Sequence, residues 1–212
     1  MNKNLKLYTP SFCVIAPTAY LEHIPLTNTH LVLAHLVEKD SAYAEFYRLR
    51  STGGDLVIMD NGAYELKESY SPEKLIALGK KCGADVIVLP DYPFQAAEKT
   101  IEASEKFIPL FKNEGFKTFF VPQSKKGDVE DWIQAYQWGA NNFNVDVLCM
   151  SILGIPNAIP WCDPAFSRVV LTAILQERKI FNKEKHHHYL GLNSGPALEI
   201  PSLLRMEALD TI

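Results

Sequence analysis

The chain has 212 residues, 47% hydrophobic and 22% charged, with a formal net charge of −4 and a pI near 5.9. That length supports one domain with a sizeable core, or at most two small ones. The acidic balance excludes a protein that holds nucleic acid mainly by phosphate neutralisation across a broad basic face, so any such contact must be local.

The N-terminal MNKNLKLYTPS lacks the apolar core of about 7–15 residues that a secretory signal needs. No apolar stretch reaches about 18 residues, so no transmembrane helix is expected. The four cysteines, Cys13, Cys82, Cys149 and Cys162, form no CxC or CxxC pair, which argues against a structural zinc site. Cys13, Cys82 and Cys149 lie in apolar surroundings and read as buried free thiols. These features predict a soluble, cytoplasmic protein with reduced thiols, no metal and no cofactor.

The first apolar run of strand length is 12–17 (FCVIAP), followed by an irregular segment over 18–30. Further runs lie at 31–37 (LVLAHLV), 55–60 (DLVIMD), 85–91 (DVIVLPD), 117–123 (KTFFVPQ), 145–151 (VDVLCMS) and 187–193 (HHYLGLN), with a last one from 208 (ALDTI). Most are apolar throughout rather than alternating, as in parallel strands covered on both faces. Helical patterns separate them. Residues 40–51 read as helical. Residues 71–83 place Ser71 at the N-cap, Pro72 at N1 and Gly83 past the end, with Leu75, Ile76, Leu78 and Cys82 as one stripe. Residues 94–114 form a long helix stopped by Gly115. Asp128 opens another, with Trp132, Ala135, Tyr136 and Gly139 on one face. Asp163-Pro164 opens a helix to about Arg178, and Pro196 one to about Glu207.

This repeated alternation implies parallel βαβ units. Eight strand candidates predict an α/β fold of the (β/α)8 TIM-barrel type, a single barrel domain over residues 1–212. A doubly wound open sheet is the competing architecture. It would carry a glycine-rich phosphate loop after the first strand, and TAYLEHIPL after Pro17 has no glycine. The eighth strand is reached only at Ile212, so the last helix has no residues to form it. Either the sequence is a piece truncated at its C-terminus, or the ring closes some other way.

In a parallel barrel the active site gathers at the C-terminal strand ends. Asp60-Asn61, Asp91, Gln123, Ser151 with Gly154, and Asn193-Ser194-Gly195 end successive runs, and Asp210 enters the last. As turn residues, caps or backbone requirements each is ordinary. Their shared end of the sheet makes them candidates for one site. Lys125-Lys126, after Gln123, stands on the same side and could touch a phosphate. His186-His187-His188 reads as a solvated basic loop on the far face, and His35 as a core histidine within its strand.

The ordered set over residues ~55–212 resembles the tRNA-guanine (queuine) transglycosylase superfamily, including short phage-type relatives linked to 7-deazaguanine in DNA. Asp60-Asn61-Gly62-Ala63-Tyr64-Glu65 resembles its Asp-Ser-Gly-Gly-Phe-Gln motif, and Val121-Pro122-Gln123-Ser124 its Val-Gln-Gly-Gly segment. Asp91-Tyr92-Pro93 matches an acid at the next strand end, Leu153-Gly154-Ile155 a Gly-Gly-Leu stretch, and Tyr189-Leu190-Gly191-Leu192-Asn193-Ser194-Gly195 a Tyr-Leu-Met-Gly-Val-Gly segment. The resemblance implies a transferase that exchanges guanine for a 7-deazaguanine through an aspartyl intermediate. In that scheme Asp60 is the acid/base or orienting carboxylate. Asn61, Asp91, Gln123 and the Gly154 backbone bind the base. The nucleophile is Asp210 or an acid beyond Ile212. A catalytically silent deazapurine-binding or accessory subunit is the alternative. The tRNA enzymes' cysteine-rich zinc unit is missing, so tRNA, DNA or a free base all remain open as partners.

Overall fold

The computed structural model describes residues 10–212, and the side chains of residues 23–26 lie outside that description. The reading against a signal sequence falls on residues outside it. A 3-10 segment over Thr18–Leu26 leads into β1 (Thr29–Val32), α1 (Ala34–Lys39), α2 (Ser41–Thr52), β2 (Leu56–Met59), α3 (Ala63–Leu66) and α4 (Pro72–Cys82). Then come β3 (Val86–Val88), α5 (Ala97–Asn113), β4 (Lys117–Phe120), α6 (Val129–Asn141), β5 (Val147–Cys149), α7 (Gly154–Ala158), α8 (Pro164–Glu177), β6 (His186–His188) and α9 (Pro196–Arg205). The six strands pair in chain order, every pair parallel. This is a curled α/β sheet of TIM-barrel type.

Two predicted strands are not strands. The 12–17 run and the run from 208 contribute single parallel bridges, Val14 with His30, and Thr211 with both Ser11 and His188. Backbone bonds reinforce them, Cys13 N to Ile212 O at 2.7 Å and Tyr189 N to Thr211 O at 2.8 Å. These bridges link the outer edges of β1 and β6.

The capping signals place the helices well. Asp40 accepts from the N–H groups of Ala42 and Tyr43, Ser71 from Lys74, Asp128 from Asp131 and Asp163 from Ala165. Gly83 ends α4 in the left-handed region. The 31–37 run is corrected: its strand ends at Val32, and α1 begins at Ala34. Both pieces are buried, so hydrophobicity alone cannot mark the boundary. His35 is therefore a half-buried helical residue. The helix expected over 94–114 begins at Ala97, because residues 92–95 form a turn.

Period-two alternation sorts the strand residues into two apolar layers. Leu31, Ile58, Val86, Val88, Phe119, Val121, Val147 and Cys149 pack inside the curled sheet. Val32, Val57, Met59, Ile87, Phe120 and Leu148 face the helices. The three consecutive histidines follow the same rule, which corrects their reading as a solvated loop. They are β6, and all are buried. His186 and His188 both bond Thr211 Oγ1, at 3.0 and 2.6 Å. His187 meets Tyr136 Oη at 2.8 Å and stacks on Phe181. Burial pushes His187 and His188 down to about 3, so both are neutral hydrogen-bonding groups rather than charges.

One ion pair ties this side together. Arg168 on α8 and Glu199 on α9 form a bidentate pair at 2.7 and 2.6 Å, with both side chains fully buried. Arg168 Nη1 also donates to Met150 O and Leu190 O, just past β5 and β6. Glu199→Ala leaves a buried guanidinium without its counter-charge and should lower stability by about 3–5 kcal/mol in urea denaturation. The double variant Arg168→Met, Glu199→Leu should lose distinctly less than the single one.

Candidate active site

The chain leaves β2 through Asp60-Asn61-Gly62. Asp60 N still bonds Val32 O at 2.8 Å, so Asp60 continues the strand ladder. Its Oδ2 then accepts from Gly62 N at 2.9 Å, and Asn61 Oδ1 from Ala63 N at 2.8 Å. These are consecutive Asx turns. Gly62 sits at φ 79°, and a side chain there would press on Leu66 and the Tyr70 ring.

The next two strand ends converge on this turn. Asn61 Nδ2 donates to Leu89 O and to Asp91 Oδ1, both at 2.8 Å. Gln123 Nε2 donates to Asp91 Oδ2 at 2.6 Å. Each oxygen of Asp91 is thus held by an amide from a neighbouring strand end. With Nε2 so engaged, Gln123 Oε1 has no hydrogen-bond partner among the described residues and is buried. Gly154 lies beside it: a Cβ built there would stand 3.6 Å from Oε1. Ser151 Oγ accepts from Leu153 N and Gly154 N, and its hydroxyl hydrogen remains a donor.

These groups line one cavity of about 390 Å³. The remaining wall is mostly apolar and includes Ile15, Leu31, Val88, Phe94, Val121 and Leu190, with Tyr64 and Glu65 at α3. Among the described residues, the lining holds three carboxylates and no Lys, Arg or His. Burial raises Asp60 to about 7, helped by the charges of Glu65 and Asp91 and opposed by the Gly62 N–H. Asp60 keeps a partly exposed surface, yet the protein around its carboxyl disfavours charge. Burial also raises Asp91, against the two amides that favour its ionised form. Among the described residues no three His, Cys, Asp or Glu side chains are placed to hold one metal ion.

The structure therefore brings together Asp60, Asn61, Asp91, Gln123 and Gly154. It does not bring Asp210 to them. Asp210 Oδ2 accepts from His187 N at 2.8 Å, an arrangement repeated elsewhere. Asp85, before β3, accepts from Val57 N of β2 at 2.9 Å, and Asp146, before β5, from Thr118 N of β4 at 2.7 Å. An aspartate entering a strand latches back onto the preceding one at the N-terminal end, opposite the cavity. Asn193 is not in the cavity either, since its amide holds Pro164 O and Ala165 O at the start of α8. Lys125 and Lys126 are exposed on the loop after Gln123 and do not line the cavity. Sequence reasoning missed Phe94, and the signal was its position next to Pro93.

No protein-family model matches the sequence, and no curated protein matches it. Solved structures do. The 3,6-anhydro-D-galactonate cycloisomerase from Zobellia galactanivorans is similar over 95% of this chain, at 11% identity and a TM-score of 0.56; the chain spans about half of that protein, 52%. D-psicose 3-epimerase from Clostridium cellulolyticum H10 is similar over 96% of this chain and 80% of its own, at 8% identity and a TM-score of 0.52. Citrate synthase SbnG is similar over 99% and 90%, at 14% identity and a TM-score of 0.55. Likeness at such identities shows the fold, a TIM-barrel-like α/β architecture. It corrects the family assignment: the similar structures include a cycloisomerase, an epimerase and a citrate synthase, not a tRNA-guanine transglycosylase. No described helix is long and apolar enough to cross a membrane.

Two outcomes test this geometry. An aspartate in an unfolded chain titrates at about 3.9, and folded Asp60 is raised to about 7. Between those values the unfolded chain carries fewer protons at this residue, so its contribution to stability falls as pH rises through the window. Asp60→Asn should match the wild type near pH 4 and exceed it by roughly 2–4 kcal/mol above pH 7 in denaturation curves. Asp210→Ala should cost about 1–3 kcal/mol of stability, because it removes a charged acceptor from His187 N. It should leave ligand affinity at the cavity unchanged by calorimetry.

Proposed function

We propose that the cavity binds a purine-type base, guanine or a 7-deazaguanine, and that Asp60 carries its exchange at a glycosidic bond of a nucleic acid. The observation that carries the reading is the buried, unpaired Gln123 Oε1 beside Asp91 in a small apolar cavity. An unmet buried acceptor costs free energy until a donor reaches it. The N1–H and exocyclic amine of guanine form such a donor edge, and Ser151 Oγ–H can donate to O6. Mostly apolar walls suit a largely apolar ring better than a polyol, whose hydroxyls would each need a partner. That argues against transferring the sugar chemistry of the epimerase to this chain. A volume of about 390 Å³ is near the small end for ligand sites, so it takes a base with its backbone left outside. The target nucleotide would leave its stack, and the exposed Lys125 and Lys126, on the loop after Gln123, would meet the phosphates beside it.

Asp91 is held at both oxygens and serves recognition. Asp60 has one oxygen bonded to the Gly62 N–H and is raised to about 7, so both protonation states are accessible near neutrality. In its ionised form Asp60 attacks C1′. The C1′–N bond breaks, and the departing guanine takes up a proton. The incoming base then attacks C1′, the ester bond to Asp60 breaks, and the incoming nitrogen gives up its proton. We also read the sheet and its bridges as a (β/α)8 ring, with residues 11–14 and 211 as its remaining two staves.

Radiolabelled guanine offered with tRNA and with DNA tests the exchange. Incorporation is expected with wild type and should be absent with Asp60→Asn. Gln123→Ala should weaken guanine binding about 10–100-fold in calorimetry. Binding without incorporation would mean a silent base-binding subunit and overturn the exchange step. A wild-type protein that binds neither guanine nor 7-deazaguanine would overturn the whole reading.

A further inference from the structure

Among the described residues, four other than glycine have positive φ: Lys67, Phe94, Lys179 and Glu207. Three have a local reason. Lys67 caps α3, and Lys179 and Glu207 directly follow the C-caps of α8 and α9, where a left-handed residue commonly ends a helix. Phe94, at φ 64°, lies between β3 and α5 and ends no helix. Its turn runs Tyr92-Pro93-Phe94-Gln95, closed by Gln95 N to Tyr92 O at 3.2 Å. Proline at the second position and positive φ at the third are the marks of a type II turn, whose third position favours glycine or asparagine. A bulky ring there is a genuine outlier. Core packing does not explain it, because Phe94 is 52% exposed. Phe94 instead lines the cavity that also holds Asp60 and Asp91.

We propose that Phe94 is a specificity-determining residue, the aromatic face on which the bound base stacks, and that its strained turn is kept because it holds the ring over the cavity. This rests on the purine-binding reading above. An aromatic face stacks on a planar heterocycle whatever its hydrogen-bonding pattern, and Asp91 with Gln123 then reads its edge. Phe94 also sits one turn from Asp91, so the ring and the donor-binding edge are placed by a single loop.

Phe94→Asn removes the ring and supplies a residue that tolerates the left-handed region; Phe94→Tyr keeps an aromatic face. The Asn variant should melt roughly 2–4 °C higher than wild type and bind guanine and 7-deazaguanine at least about tenfold more weakly. The Tyr variant should bind within about threefold of wild type. Retention of guanine affinity by the Asn variant, or equal loss in the Tyr variant, would overturn the stacking role while leaving the purine reading standing. A melting temperature unchanged or lowered in the Asn variant would overturn the claim of a strained turn. Absence of any purine binding by wild type would remove both this inference and the reading beneath it.

Discussion

The carboxylate of Asp91 is the joint on which the cavity depends. Asn61 reaches it from the end of β2 and Gln123 from beyond β4, so one side chain ties three consecutive strand ends. Charge-assisted bonds of this kind are stronger than neutral ones, and burial strengthens them further. The arrangement sets the orientation of both amides, because an ionised carboxylate only accepts and so meets the NH2 end of each amide rather than its oxygen. That orientation turns Gln123 Oε1 away from Asp91 and leaves it buried with no partner among the described residues. The unmet acceptor is thus a consequence of how the strand ends are held. Replacing Asp91 would release both amides to rotate, and the acceptor now presented by Gln123 would no longer be fixed.

The same residue type does opposite work at opposite ends of the strands. Asp85, Asp146 and Asp210 each enter a strand and take a backbone N–H from the one before. Asp60 and Asp91 leave strands and face the cavity. Parallel strands force this division, since every strand start lies at one end of the sheet and every strand end at the other. It made Asp60, Asn61, Asp91 and Gln123 legible: each stood where an apolar run stopped, and the direction of the sheet did the rest. Asp210 was read as entering the last run and was made a nucleophile only by the family resemblance; it stands just before its bridging residue, Thr211, on the side of the strand starts. Three consecutive histidines looked solvated for a different reason. Composition cannot reveal that Thr211, Tyr136 and Phe181 meet them from other parts of the chain.

Other features were invisible for want of local signal. Arg168 and Glu199 are 31 residues apart on different helices, and each alone reads as a surface charge. Their pairing appears only when α8 and α9 pack. The boundary within LVLAHLV was hidden because a buried strand passed directly into a buried helix. The turn at Phe94 could have been read from Pro93, but nothing in the sequence marks a positive φ at a phenylalanine. The family resemblance failed differently. Acids and amides at successive strand ends are a general consequence of building a site on a parallel barrel, and unrelated chemistries share that placement. The order of such residues speaks for the architecture more strongly than for any one activity.

The two carboxylates of the cavity are separated by environment rather than by identity. Both are raised by burial, but Asp91 is met by two side-chain amides that favour its charged form, whereas Asp60 has backbone donors and two nearby acids that disfavour it. Divergent surroundings of this kind set the ionisation of two neighbouring acids apart although their side chains are identical. The charge of Asp91 is one of the causes that raise Asp60. Ionising Asp60 therefore costs more while Asp91 is charged beside it, and the protonation states of the two acids are linked across the cavity.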